Sequence, residues 1–92
     1  MIESKIEKYL FEEIKKLGGM CLKWTSPNRR GVPDRIVFLN KQIWFVELKS
    51  TTGERSKMQI LFEKHLLPYT SNYKVINSKE QVNKFIEEVL NE

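Results

Sequence analysis

The chain has 92 residues, of which 40% are hydrophobic and 30% are charged, with a single cysteine and a net charge of +4. This size suits one small domain over residues 1–92 with a modest core and excludes a second domain. No apolar run approaches the roughly 20 residues needed to span a bilayer, and the first ten residues mix charges with apolar residues, unlike a signal peptide. Since Cys21 has no partner for a disulfide or a thiolate metal site, we expect a soluble cytoplasmic protein that makes no membrane contact.

The positive charge is concentrated in the middle of the chain. Residues 20–60 contain eight basic and three acidic residues, whereas the rest of the chain contains eight basic and nine acidic ones. A basic segment of this kind suits a polyanionic partner such as a nucleic acid.

The chain begins with an amphipathic helix. Five apolar residues recur at near-helical spacing and two glycines follow, which predicts a helix of about 16 residues with a glycine stop. These positions are Ile2, Ile6, Leu10, Ile14 and Leu17, followed by Gly18 and Gly19. A short strand over residues 20–24 and a Pro/Gly-containing loop over residues 25–33 come next.

Two strongly apolar runs predict the centre of a β-sheet. Residues 35–39 and 42–49 are rich in β-branched and aromatic side chains, and Asn40 and Lys41 between them suit a two-residue hairpin turn. The second run is apolar on both faces over residues 43–46. This pattern predicts a mixed sheet covered by helices, hence an α/β fold.

Two helices and one strand complete the predicted order α-β-β-β-α-β-α. Ser56, with Gln59 at the capping-box position, begins a second helix that ends near Pro68. Its apolar stripe consists of Met58, Leu61, Phe62, His65 and Leu66. Residues 73–76 form a strand, and the same cap spacing recurs at Ser78 before a third helix. The core-facing residues of that helix are Val82, Phe85, Ile86, Val89 and Leu90.

Two acidic residues and a lysine interrupt the apolar hairpin. Side chains alternate along a strand, so Glu47 and Lys49 share one face. A two-residue turn pairs residue 39 with residue 42, and the same register places Asp34 opposite Glu47. Two carboxylates this close repel each other unless a cation binds both. Oxygen ligands without a Cys or His cluster favour Mg²⁺ or Mn²⁺.

Lys49 completes a pattern typical of phosphodiester hydrolysis. Its ammonium can reach the carboxylates, orient or help deprotonate a water, and offset negative charge on an attacked phosphate. A bound metal would activate the same water, and the basic middle segment would hold the nucleic-acid backbone.

The order of these motifs is similar to that of a known nuclease family. Gly31-Val32-Pro33-Asp34 followed by Glu47-Leu48-Lys49 resembles the PD-(D/E)xK nuclease superfamily, and Gln59 in the next helix resembles its VRR-NUC branch. The resemblance implies a restriction-endonuclease-like αβββαβ core with a mixed central sheet flanked by helices, followed by an additional C-terminal helix. It also implies Mg²⁺ or Mn²⁺ dependence and hydrolysis of DNA.

The resemblance further assigns roles to individual residues. It implies that Asp34, Glu47 and the main-chain carbonyl of Leu48 are metal ligands and that Lys49 is the catalytic lysine. Gln59 is implied as an active-site helper, a role compatible with its capping of the second helix.

The family also has an acidic residue in its first helix. Glu3 matches the Glu-x-x-Ile opening of the VRR-NUC branch, whereas Glu7 has the distance to Gly18 seen in archaeal Holliday-junction resolvases. Both remain candidates, and Glu3 is favoured. Small members of this branch resemble junction resolvases and form dimers, so the resemblance implies a homodimer that cuts branched or structured DNA. A nuclease of this size suits a phage that acts in a bacterial host.

Seven residues of the basic middle segment are candidates for contacts with DNA because their side chains suit phosphate oxygens. They are Lys23, Ser26, Asn28, Arg29, Arg30, Arg55 and Lys57. We expect Trp24 and Trp44 to pack in the core rather than to stack on bases. We expect His65 to be a packed or interface residue and Cys21 to be a small buried one.

Two other functions fit the same sequence. The chain could keep the nuclease fold and only bind nucleic acid, or it could be a nuclease subunit that needs a partner for substrate recognition. Metal binding that depends on Asp34 separates the first alternative from an active nuclease, and weak activity of the isolated chain indicates the second.

Overall fold

The computed structural model describes residues 1–92 and has seven elements in the predicted order. The helices are α1 (Glu3–Lys16), α2 (Lys57–Leu66) and α3 (Lys79–Leu90), and the strands are β1 (Met20–Lys23), β2 (Arg35–Leu39), β3 (Gln42–Leu48) and β4 (Tyr73–Ile76). Each element lies within two residues of its predicted ends. None of the three helices is long and apolar enough to cross a membrane.

The strands form one mixed sheet in the order β1-β2-β3-β4. The first two pairs are antiparallel, and β4 runs parallel to β3. Asn40 and Lys41 form the β2–β3 turn with φ angles of 53° and 60°, as a tight hairpin of this hand requires. Leu39 therefore pairs with Gln42, which confirms the predicted register.

Helix α1 ends at its predicted glycine stop. Gly18 has a φ of 79°, a left-handed conformation that costs glycine little. The Gly18 N–H donates to the Lys15 carbonyl, and the Gly19 N–H donates to the Ile14 carbonyl. These two bonds form a Schellman motif that satisfies the last carbonyls of the helix and turns the chain into β1.

The hydrophobic core lies between one sheet face and helices α1 and α3. It contains residues from every strand and from both helices, including the buried Cys21. Trp44 packs edge-on against Phe85 of α3 with ring centroids 5.4 Å apart, so its predicted core role is confirmed. The predicted apolar stripes are wrong at their ends, because Ile2, Leu17 and Leu90 are exposed.

The opposite sheet face is covered only in part. Trp24 packs against Phe45 and against Phe62 of α2, with centroid separations of 5.6 Å in both cases. Phe62 is the one buried residue of α2. The prediction that the whole apolar stripe of α2 is covered is wrong, because Met58 is 40% exposed and Leu61 is 41% exposed.

Two further residues of the predicted α2 stripe differ in burial, since Leu66 is half-buried and His65 is exposed. His65 lies at the surface and contacts the guanidinium of Arg29 through its ring nitrogen Nδ1. The packed alternative for His65 is therefore wrong, and the interface alternative stays a prediction.

Candidate active site

The predicted site lies at the end of the β2–β3 hairpin that is farther from the turn. Arg35 pairs with Val46, so the register brings Asp34 to the level of Glu47. Pro33 is buried and precedes the strand. The Asp34 main-chain carbonyl accepts from Trp24 at 3.0 Å, which fixes this residue between β1 and β3.

The Asp34 side chain continues the β-ladder just before β2 begins at Arg35. Its Oδ2 atom accepts a hydrogen bond from the Leu48 N–H at 2.7 Å. The N–H and C=O groups of a strand residue point to the same neighbouring strand, so the Leu48 carbonyl also faces the Asp34 side of β3. Burial raises the pKa of Asp34, and the Leu48 N–H partly opposes this rise.

Glu47 is fully buried and lies on the sheet face opposite the core. Its Oε1 atom accepts from the Tyr73 hydroxyl at 2.9 Å and from Arg55 Nη2 at 3.0 Å. Its Oε2 atom accepts from Arg55 Nε at 3.1 Å. The buried carboxylate is thus satisfied by an ion pair and a hydroxyl, as a buried charge requires.

Lys49 and Glu3 belong to the same electrostatic neighbourhood as Asp34. Lys49 is half-buried. Burial raises the pKa values of both Asp34 and Glu3, and the Lys49 charge partly opposes this rise. Glu3 lies in the first turn of α1. Burial and then the Asp34 charge raise the Glu3 pKa, and the Glu3 side chain makes no hydrogen bond or ion pair. Burial and, to a smaller extent, the charge of Glu7 raise the pKa of Asp34, so both α1 acids lie near this carboxylate.

Glu7 has a different environment one helical turn later. It accepts from Arg35 Nε at 2.7 Å and from Lys23 Nζ at 3.2 Å. Burial alone would raise the Glu7 pKa, but these two hydrogen bonds lower it. Glu7 therefore stabilises the contact between α1 and the sheet, and the choice between Glu3 and Glu7 as the site acid stays a prediction.

Gln59 forms the predicted capping box at the start of α2. Its Oε1 atom accepts from the Ser56 N–H at 2.9 Å, and its own N–H donates to Ser56 Oγ at 3.1 Å. Gly31, with a φ of 82°, packs so closely that a Cβ atom there would collide with the Met58 carbonyl. The Gly31-to-Asp34 segment is thus held against the first turn of α2.

The cap of α3 differs slightly from its prediction. Ser78 Oγ accepts from the Gln81 N–H at 3.1 Å, as expected. The Gln81 side chain accepts from the Asn77 N–H at 2.7 Å instead of that of Ser78, so only half of a capping box forms.

The seven candidate DNA-contact residues fall into two groups. Asn28, Arg30 and Lys57 are exposed and make no side-chain hydrogen bond or ion pair. The others have contacts within the chain. Lys23 binds Glu7, Arg29 lies over the Phe62 ring, Arg55 binds Glu47 and Glu63, and Ser26 is half-buried.

The donor atoms at this site suit a hard divalent cation. Carboxylates of Asp34 and Glu47 and the carbonyl of Leu48 are oxygen ligands of the kind that Mg²⁺ and Mn²⁺ prefer. No group of three His, Cys, Asp or Glu side chains is placed to hold a metal on its own. Asp34 and Glu47 thus supply two carboxylates, and the Leu48 carbonyl would have to be the third oxygen ligand.

Two residues at the site were not predicted. Tyr73 reaches Glu47 from β4, and Glu63 binds Arg55 Nη2 at 2.7 Å from α2. The sequence contains no local signal for either contact, because both depend on how β4 and α2 pack beside β3.

Comparison with known proteins agrees with this architecture. No family model matches the chain. A curated protein from Acyrthosiphon pisum secondary endosymbiont phage 1, named "Putative nuclease p44", is 39% identical over 79 residues, which cover 85% of each chain. A solved structure described as a VRR_NUC domain is 32% identical with a TM-score of 0.82, over 92% of this chain and 94% of the other. The chain belongs to the VRR_NUC domain family, and its predicted restriction-endonuclease-like α/β fold is confirmed.

Proposed function

We propose that the chain, a nuclease of the VRR_NUC family, is a metal-dependent endonuclease that hydrolyses phosphodiester bonds in DNA. The observation that carries this proposal is the hydrogen bond from the Leu48 N–H to Asp34. It fixes a carboxylate and a main-chain carbonyl beside Glu47 and Lys49 at one strand end.

In this proposal Asp34, Glu47 and the Leu48 carbonyl hold Mg²⁺ or Mn²⁺. The bound ion would polarise a phosphoryl oxygen and lower the pKa of the attacking water. Lys49 orients that water, helps to remove its proton and offsets charge developing on the phosphate. Glu3 adds a further oxygen ligand or a proton acceptor, and Gln59 orients groups from the start of α2.

The exposed polar residues of the basic middle segment would bind the DNA backbone. Asn28, Arg30 and Lys57 are free to contact phosphate oxygens because none is engaged within the chain. Such contacts position the duplex without reading its sequence. This suits a nuclease that recognises DNA structure rather than sequence.

We further propose a homodimer that acts on branched DNA such as a Holliday junction, in the cytoplasm of a bacterial host of a phage. A two-fold dimer places two sites on opposite strands, which suits paired incisions. Exposed apolar side chains of α2, including Met58 and Leu61, support burial in a subunit contact.

The test is a cleavage assay with labelled linear duplex, flap and four-way junction DNA in Mg²⁺, Mn²⁺ or EDTA. We expect cleavage only with metal, and most efficiently for the junction. Failure to cut any substrate, together with metal-independent DNA binding, would support the binding-module alternative. Metal binding with weak cleavage would indicate a subunit that needs a recognition partner.

A further inference from the structure

The Glu47 carboxylate is held by side chains that the proposed reaction does not use. Arg55, from the loop before α2, donates to both carboxylate oxygens, at 3.0 Å and 3.1 Å. Tyr73, from β4, donates its hydroxyl at 2.9 Å. The three residues come from separate elements and meet around one fully buried acid.

The two oxygens of the Glu47 carboxylate accept different numbers of hydrogen bonds. A carboxylate has about four acceptor positions, two on each oxygen. Oε1 accepts from Tyr73, from Arg55 Nη2 and, at 3.3 Å, from Arg55 Nε, so its positions are filled. Oε2 accepts only from Arg55 Nε. One acceptor position on Oε2 therefore remains for another ligand while Arg55 and Tyr73 stay in place.

The charge of Arg55 is balanced by a second acid. Its Nη2 atom also lies 2.7 Å from Glu63 Oε1, and its guanidinium lies 5.7 Å from the centroid of the Tyr73 ring. The Glu47–Arg55–Glu63 group keeps a net charge of −1, so the arginine does not cancel the attraction of the group for a cation.

We propose that Arg55 and Tyr73 are positioning residues that present Glu47 to the metal through its Oε2 atom. This inference rests on the proposed metal-dependent function and deepens it. Outer hydrogen-bond partners of this kind fix the orientation of a ligand, and their loss typically weakens metal binding 10- to 100-fold. Arg55 thereby has a role other than DNA contact.

The test is calorimetric titration of the full chain with Mn²⁺ in the absence of DNA. Tyr73→Phe removes one O–H and leaves the charges unchanged, and we expect its Kd for Mn²⁺ to rise about 10-fold. Tyr69→Phe is the matched control, because Tyr69 is 85% exposed and should leave the Kd unchanged. Circular dichroism and thermal unfolding establish that both variants are folded.

Arg55→Lys provides an independent arm if Tyr73→Phe fails to fold. Lysine keeps the charge but cannot reproduce the forked contact with both oxygens, so we expect a similar rise in Kd. An unchanged Kd in the folded variants, or tighter binding, would overturn the positioning role. Absence of Mn²⁺ binding by the parent chain, or equal binding by Asp34→Ala, would instead overturn the proposed metal site itself.

Discussion

Removal of Arg55 is expected to destabilise the metal-free fold, because it leaves the Glu47 carboxylate buried without a counter-ion. Arg55→Met keeps most of the aliphatic stem and removes only the guanidinium. Glu47 has no exposed surface in the intact fold. Tyr73 would remain its only hydrogen-bond donor.

The size of the effect follows from the burial of the two partners. Breaking a buried ion pair by removing one partner costs about 3 to 5 kcal/mol. The Arg55 side chain is 25% exposed, so water can enter the vacated space, and we expect about 2 to 3 kcal/mol. For a chain of this length, that loss lowers Tm by roughly 10 to 20 °C.

Urea unfolding in EDTA measures the free energy of unfolding of Arg55→Met and of the double variant Arg55→Met/Glu47→Gln. We expect the double variant to recover at least about 1 kcal/mol of the lost free energy of unfolding, because glutamine leaves no unpaired charge in the interior. Lys16→Met is the control, since Lys16 pairs with Glu13 at the surface and its loss should leave stability unchanged. A cost for Arg55→Met below about 0.5 kcal/mol, typical of an exposed pair, would refute the reasoning.

Three further predictions concern single groups. Glu3→Gln should slow DNA cleavage about 10-fold without loss of stability. Glu7→Gln should lower the free energy of unfolding in urea by about 1 kcal/mol, because it weakens the bond to Arg35. The reverse pattern would exchange the roles of the two residues. Because burial raises the pKa of Asp34, Mn²⁺ binding measured by calorimetry should weaken as the pH falls through that raised value. In EDTA, the raised pKa of Asp34 should add to the free energy of unfolding at pH values below its ordinary pKa. This contribution should be lost as the pH rises through the pKa of the folded chain. Asp34→Asn should remove the pH dependence of both metal binding and stability. Burial raises the pKa of Cys21 to about 11, so its alkylation by iodoacetamide at pH 8 should be about 100-fold slower in the folded than in the urea-unfolded chain; equal rates would contradict its burial.

The hairpin that carries the site could be predicted because its determinants are local. Two apolar runs separated by Asn40 and Lys41 predict a two-residue turn that pairs Leu39 with Gln42, and the structure has that register. The position of Asp34 beside the end of β3 follows directly. The hydrogen bond that its side chain accepts from the Leu48 N–H could not be predicted, because it depends on where β2 begins.

The environment of Glu47 could not be predicted because its determinants are distant in sequence. Tyr73 reaches it across the parallel β3–β4 pair, and no turn or spacing in the sequence specifies that pairing. Arg55 is one of several basic residues in a basic segment, so its sequence context favoured DNA contact. Only the packing of its loop over β3 distinguishes Arg55 from the other basic residues of this segment.

The apolar stripe of α2 shows a second limit of sequence patterns. Helical spacing of Met58, Leu61 and Phe62 predicts that they share a face, but it does not specify what covers that face. In the structure the sheet covers Phe62 and leaves the other two partly exposed.

We expect Lys49 to act in catalysis beside a metal held by Asp34 and Glu47. The most direct measurement is the single-turnover rate of four-way junction cleavage in Mn²⁺ by Lys49→Ala, with the exposed Lys84→Ala as control. We predict a rate at least about 100-fold below that of the parent for Lys49→Ala and an unchanged rate for Lys84→Ala. Cleavage by Lys49→Ala at the parental rate would contradict the account.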